Sequence, residues 1–117
     1  MSRNEKQAAE MAALLLDLEA TLRQLNLWQS ESPCAEALAS TQPFCIDTLE
    51  FSQWLQFIFI ARIQFMLAQQ APLPVVSGIT AMAEEVYRQQ AEVSSVLLPV
   101  LRAIDGCLGQ GVEQARH

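Results

Sequence analysis

Few residues in this sequence are able to act as acids, bases or nucleophiles, and they lie far apart. The only histidine is His117, so no imidazole stands near a candidate nucleophile to activate it. Cys34, Cys45 and Cys107 form no CxxC pair and match no zinc-ligand spacing. We therefore expect no catalytic residue, no cofactor and no metal site, and we predict that the protein is not an enzyme.

Two further patterns that can carry chemistry are better explained by helix structure. Glu84 and Glu85 are adjacent, and consecutive helical positions point about 100° apart, so these carboxylates do not converge on one substrate. Gly106, Gly109 and Gly111 follow an apolar segment, whereas a phosphate-binding loop opens a helix after a strand. The glycines predict the end of a helix.

Composition and charge restrict the class of protein. A chain of 117 residues with 51% hydrophobic and 17% charged residues predicts one globular domain over 1–117, with 1–4 and 110–117 flexible. The net charge of -6 opposes direct binding to nucleic acid and to anionic membrane surfaces. The longest apolar stretch, Trp54 to Leu67, contains polar residues and is shorter than the roughly 20 residues of a membrane span. Three dispersed cysteines without an apolar signal segment favour the cytoplasm.

Apolar residues spaced by three and four predict helices, and no stretch alternates as a strand does. The first helix is expected from about Glu5 to Asn26, and the second from a helix-start box at Asp47 and Glu50 to about Gln70. A third is expected over about Ile79 to Gln90. The fourth carries an apolar stripe from Val93 to Leu108 and contains a proline expected to kink it.

The predicted fold is therefore all-α: a single-domain, largely antiparallel four-helix bundle with a structured loop between helices 1 and 2. Short connections between consecutive helices favour antiparallel neighbours. Within the loop, Pro33 after Ser32 is suited to start a short helical turn over Cys34 to Leu38.

One part of the sequence carries a more specific pattern. It consists of Ser40-Thr41-Gln42-Pro43-Phe44-Cys45-Ile46-Asp47-Thr48-Leu49-Glu50, Trp54-Leu55-Gln56, Ile60, Arg62 and Pro72-Leu73-Pro74, together with Leu18-Glu19-Ala20, Arg23 and Trp28. Over roughly residues 12 to 105, the sequence resembles the YqcC-like family, small bacterial proteins of unknown function that are labelled by association with tRNA pseudouridine synthase C.

This resemblance implies a cytosolic helical bundle with a link to pseudouridine synthesis in tRNA, and it provides no active site to transfer. The sequence has neither the catalytic aspartate motif nor the mixed sheet expected of a pseudouridine synthase. The resemblance therefore implies that the enzyme label describes a neighbouring protein.

The candidate partner or ligand site comprises Gln42, Pro43, Phe44, Asp47, Trp54 and Arg62. Exposed aromatic residues dominate interface energetics, so Phe44 and its neighbours are suited to present an edge to a protein partner. Alternatively, Phe44 and Trp28 plug the end of the bundle. The sequence leaves both interpretations open.

Arg62 lies in the most apolar sector of the second helix, close to Leu55, if successive residues turn by about 100°. A charge there needs a partner, and Glu19 on the first helix is the first candidate, with Glu84 or Glu85 next. If this buried ion pair exists, Arg62→Ala should destabilise the fold by about 3 to 5 kcal/mol. The alternative is that Arg62 anchors a ligand in an apolar pocket.

Taken together, these features predict a small non-catalytic interaction or accessory protein that binds another protein, with a homodimer left open. The alternative function is a small-molecule-binding protein whose inter-helix pocket contains Arg62.

Overall fold

The computed structural model describes the backbone of residues 3–73 and 78–115 and the side chains of 5–73 and 78–109. These ranges contain five α-helices and no strand. The helices are α1 (Arg3–Gln24), α2 (Ala35–Leu38), α3 (Phe51 to Ala68), α4 (Ile79–Val86) and α5 (Ala91–Ala115). The all-α prediction is confirmed. A four-helix bundle is not, because the described ranges contain five helices, of which α2 and α4 are short.

The predicted apolar stripes of the two longest helices form much of the core. Both stripes repeat at intervals of three and four, which places their side chains on one face of a regular helix. The buried members are Met11, Leu15, Leu18 and Leu22 on α1, and Leu97, Leu101, Ile104 and Leu108 on α5. They join buried residues of α3 and α4 in one hydrophobic cluster. No helix within the described ranges is long and apolar enough to cross a membrane.

A carboxylate on α5 caps the start of α4. The Thr80 amide and hydroxyl donate hydrogen bonds of 2.9 and 2.6 Å to Asp105 Oδ2. Asp105 Oδ1 is buried and has no hydrogen-bond partner among the described residues. Gly78 precedes the helix with a φ of 96°, which glycine adopts without steric cost. A tight turn at 87–90 joins the end of α4 to the start of α5, and the start of α4 contacts Asp105 far along α5. The two helices are therefore antiparallel.

The end of α5 differs from the prediction. The helix continues through Gly106 and Gly109 to Ala115 and contains Pro99, so the expectation that these glycines end it is wrong. A glycine inside a helix costs about 1 kcal/mol relative to alanine, which does not terminate a helix whose neighbours are buried. Cys107 and Leu108 are such neighbours. The predicted flexible ends, 1–4 and 110–117, lie outside the described side chains.

The start of α3 also lies later than predicted. Its capping box is formed by Glu50 and Gln53, and the Glu50 amide donates to Gln53 Oε1 at 2.8 Å. Asp47, predicted to begin this helix, instead accepts a hydrogen bond from the Ser40 hydroxyl within the preceding loop. Both acidic residues stand three positions before a side chain able to reach back, so spacing alone did not distinguish them.

The middle of α3 is a π-helix. Trp54–Ile60 lies between α-helical parts at Phe51–Gln53 and Ala61–Ala68. The buried positions Phe51, Leu55, Phe59 and Ile63 repeat every four residues. In a 3.6-residue helix each step of four turns this row by about 40° in one direction, and the wider i→i+5 turns rotate it the other way, so the combination of α and π parts keeps it on one face.

This change of phase overturns the predicted position of Arg62. Arg62 and Phe65 are exposed, and Ile63 is buried. The prediction assumed uniform α-helical rotation along the second helix, which a π-helical segment does not follow. Arg62 therefore lies outside the apolar face of α3.

Two neighbouring substitutions test this phase. Arg62→Ala should change the free energy of unfolding by no more than about 0.5 kcal/mol, because the side chain is exposed. Ile63→Ala should cost about 2 to 5 kcal/mol, because Ile63 is 1% exposed. Urea denaturation followed by circular dichroism measures both. Equal costs for the two variants would contradict the π-helical phase of α3.

The cap on α4 is tested by Asp105→Ala, which removes both hydrogen bonds from Thr80. We expect a loss of about 1 to 2 kcal/mol in the free energy of unfolding, the usual size for a lost helix cap. Asp17→Ala is the matched control, because Asp17 is exposed on α1. Equal denaturation midpoints for the two variants would show that Asp105 does not stabilise α4.

Candidate functional site

The loop before α3 contains two consecutive non-glycine residues in left-handed conformation. Phe44 and Cys45 have φ values of 57° and 51°. Such conformations cost of the order of 1 to 3 kcal/mol each and persist only where surrounding contacts impose them. Here the Leu49 amide donates to Cys45 O at 2.8 Å, and the Thr48 hydroxyl donates to Ala37 O at 2.7 Å. These bonds fix the loop against α2.

Aromatic contacts hold the inner side of this loop against α3 and the end of α4. The Phe44 ring meets the Trp54 ring edge-on, with centroids 4.8 Å apart, and lies 6.0 Å from that of Phe51. Phe51 also meets Tyr87 edge-on at 6.3 Å. Trp28 is not part of this aromatic group. The guanidinium of Arg23 lies 4.8 Å from the centre of its ring. Phe44 and Trp28 both pack, partly buried, against the hydrophobic core.

A network of glutamine side chains joins the segment after α1 to α3. Gln56 is buried in the π-helical part of α3, where its Nε2 donates to Gln29 O at 2.7 Å and its Oε1 accepts from Gln29 N at 2.9 Å. Gln53 Nε2 adds a bond of 3.2 Å to Gln29 Oε1. A buried amide needs such partners because leaving it unsatisfied is costly.

A hollow of about 420 Å³ lies between the loop and α4. Most of its lining side chains are apolar, and the remainder are polar residues of α3, its capping box and the end of α4. We call this the apolar hollow. Its lining residues are Leu27, Phe44, Ile46, Leu49, Glu50, Phe51, Ser52, Met82, Val86, Tyr87 and Gln90. Ile46 and Val86 are 60% and 38% exposed, so apolar surface continues from the hollow to solvent.

Two titratable side chains, Tyr87 and Glu50, line the apolar hollow. Burial raises the pKa of the Tyr87 hydroxyl above its ordinary value, and the Glu50 carboxylate adds to this rise while a hydrogen bond with Ser52 opposes it. Tyr87 therefore stays neutral at physiological pH. Glu50 is the only charged residue among the described lining residues, and none of those residues is a histidine, cysteine, lysine or arginine.

The cysteines are free thiols outside the hollow. Cys34 is exposed, whereas Cys45 and Cys107 are buried. Burial, with a contribution from the Glu10 carboxylate, raises the pKa of Cys107 to about 11, so this thiol is not an activated nucleophile. Among residues 5–73 and 78–109, no three histidine, cysteine or acidic side chains gather as metal ligands do.

The predicted ion pair between Glu19 and Arg62 is wrong. Glu19 Oε2 accepts a hydrogen bond of 2.9 Å from Arg23 Nε, one turn along α1, and Arg62 is exposed. Of the other acidic candidates, Glu85 pairs with Arg88. Arg62 does not line the apolar hollow either.

Of the six residues predicted for a partner or ligand site, only Phe44 lines the apolar hollow. Trp54 lies behind Phe44 in the aromatic cluster, and Gln42, Pro43 and Asp47 are exposed on the loop. The predicted residues and the apolar hollow share the loop before α3, and the prediction included no residue of α4. The sequence signal for the α4 side was the pair of neighbouring apolar and aromatic residues Val86 and Tyr87 in the predicted third helix.

The fold and site define a small all-helical protein in which a loop and a short helix enclose an apolar hollow. The chain belongs to the family described as tRNA pseudouridine synthase C (DUF446), which matches residues 10–107. An uncharacterized protein of Haemophilus influenzae is 40% identical over 87 residues, which are 74% of this chain and 82% of that protein. The uncharacterized protein YqcC of Escherichia coli is 32% identical over 88 residues, covering 75% and 81% of the two chains.

The fold of the E. coli relative is known from a solution NMR structure of YqcC. It superposes with a TM-score of 0.73 at 28% identity, over 93% of this chain and 90% of that one. A different kind of relative is a protein of Pectobacterium carotovorum named tRNA pseudouridine synthase C. It is 40% identical over 60 residues, which make up 51% of this chain and only 16% of that protein.

The glutamine network is tested by Gln56→Leu, which keeps the approximate size of the side chain and removes both bonds to Gln29. Leaving the Gln29 backbone groups without these partners should cost about 1 to 3 kcal/mol in the free energy of unfolding. Gln64→Leu, an exposed site on the same helix, should change it by less than about 0.5 kcal/mol. Chemical denaturation measures both, and equal stability of the two variants would show that the network contributes nothing.

Proposed function

We propose that this protein is a non-catalytic helical accessory protein that binds another protein, and that this partner acts in pseudouridine formation in tRNA. The observation that carries the proposal is the apolar hollow, whose exposed Ile46 and Val86 offer apolar surface to a partner. Exposed apolar surface of this kind is typical of protein interaction sites. The proposal includes a cytoplasmic location.

The identity of the partner is supported by the arrangement of the relatives. The small relatives match this chain over 81% and 82% of their own lengths, so they consist largely of this domain. In the Pectobacterium protein, the similar segment is a small part of a much longer chain that is named as the enzyme. A domain found both alone and within a longer protein is expected to act next to the remainder of that protein.

Charge favours a protein partner over direct contact with tRNA. With a net charge of -6, the chain repels phosphates, which non-specific RNA binding requires a protein to neutralise. A protein that binds tRNA carries the opposite charge on its RNA-binding surface. In this proposal the accessory protein binds the enzyme, and only the enzyme binds tRNA.

The alternative function, a small-molecule-binding protein with Arg62 in its pocket, has no support in this arrangement. Arg62 is exposed and does not line the apolar hollow. Without it, the hollow offers a single carboxylate, from Glu50, as its charged group. We do not propose an Arg62-anchored ligand.

The proposal predicts a saturable complex between this protein and tRNA pseudouridine synthase C of the same organism. Isothermal titration calorimetry and sedimentation velocity should both show it, with an affinity in the micromolar range or tighter. A second pseudouridine synthase of that organism controls for simple attraction between an acidic and a basic protein, and it should not bind. The chain alone should neither bind tRNA nor form pseudouridine in it. Absence of a complex with tRNA pseudouridine synthase C would overturn the proposed function.

A further inference from the structure

We infer that the apolar hollow is the docking site for a segment of the synthase in which an apolar side chain lies next to a lysine or arginine. This inference rests on the proposed function, and it adds the site and the chemistry of the segment that fills it. The apolar side chain would occupy the space between Phe44 and Met82. The cation would meet Glu50.

The dimensions and lining of the hollow fit an inserted side chain. Its volume of about 420 Å³ falls in the range of roughly 300 to 1,000 Å³ that is usual for binding sites. Seven of its lining residues are apolar: Leu27, Phe44, Ile46, Leu49, Phe51, Met82 and Val86. An interface anchor typically fills such a pocket at the centre of the contact, where water is excluded.

The charges beside the hollow select a cationic segment. Glu50 is exposed and lines the hollow, and Asp47 is exposed on the same loop. Arg88, which follows the end of α4, is paired with Glu85 and not with Glu50. A lysine or arginine from the partner can therefore pair with the Glu50 carboxylate, which also accepts the capping-box hydrogen bond from the Gln53 backbone amide.

A second copy of this chain is a poorer occupant than a basic protein. Each copy carries a net charge of -6, so two copies repel each other, and a symmetric contact would bring Glu50 of both copies together. A protein that binds tRNA, in contrast, needs lysine and arginine to neutralise phosphates. Charge complementarity therefore favours the synthase.

Contacts within the chain hold the wall formed by the loop. The left-handed conformations of Phe44 and Cys45 are fixed by the hydrogen bond from Thr48 to Ala37 and by the contact between Phe44 and Trp54. A preformed wall lowers the entropic cost of association.

Leu16 and Phe65 are also exposed, at 68% and 66%, and neither lines the hollow. Single exposed apolar residues are common on protein surfaces and require no partner.

The test compares four lysine variants that change the net charge equally. Ile46→Lys and Val86→Lys place a cation at the mouth of the hollow, and each should weaken binding to the synthase at least tenfold. Leu16→Lys and Phe65→Lys are the controls and should bind within twofold of the parent protein. Glu50→Gln keeps the shape of the side chain and removes its charge, and it should weaken binding by about threefold to fivefold, the upper range for exposed charge pairs. Circular dichroism and thermal denaturation confirm that each variant is folded.

The outcomes separate the docking site from the proposed function. If the parent protein binds but the Ile46 and Val86 variants bind equally well, the docking site is wrong and the proposed function stands. Loss of binding in a Leu16 or Phe65 variant alone would likewise move the site elsewhere. If the parent protein does not bind the synthase, both proposals fail. Self-association of the parent protein that Ile46→Lys abolishes would identify a second copy as the occupant and overturn the inference.

Discussion

The π-helical turn of α3 determines which side chains meet in this molecule. By keeping positions four residues apart on one face, Trp54–Ile60 buries Phe51, Leu55 and Phe59 together. The same phase carries Gln56 to the backbone of Gln29 and leaves Arg62 in solvent. A regular helix over these residues would rotate its later part and separate these contacts. π-Helical turns are rare and are frequent near functional sites, and this one lies directly behind the apolar hollow.

Two kinds of contact hold the hollow in shape, and both depend on that turn. Trp54, at its first position, supports the Phe44 ring of the loop. Gln56, two residues later, binds the segment after α1, which contributes Leu27 to the lining of the hollow. The strained loop and the segment after α1 are thus fixed by one stretch of α3. This explains how a small domain maintains two non-glycine residues in left-handed conformation beside a space that is not filled by its own side chains.

The regular parts of the fold could be predicted from the sequence, and the irregular parts could not. Met11, Leu15 and Leu18 on α1 follow the period of an ordinary helix, so their burial was evident from spacing. No residue type in the sequence of α3 predicts a π-helical turn. The wrong prediction that Arg62 is buried followed from assuming a regular α-helix there. The family resemblance was also evident from the residues.

The outward position of Ile46 had no comparable signal. It depends on left-handed conformations at Phe44 and Cys45, residue types that seldom adopt them, whereas a glycine or asparagine there would have predicted such a turn. Tertiary contacts, and not local preference, impose this conformation. The part of the candidate site contributed by α4 was missed for a similar reason, because which residues face Phe44 depends on packing across the domain.

The short length of α4 has a consequence for how the hollow behaves over time. A helix of eight residues is not stable by itself in water, so α4 depends on its anchors, Asp105 at its start and the aromatic contact of Tyr87 at its end. Its buried Ile79 and Ala83 add core contacts to these anchors, so α4 keeps its place as one wall of the hollow only through its packing on the rest of the domain. A partner bound in the hollow would favour the packed position of α4 over any opening of this wall. Recognition and the order of a single helix are thereby coupled.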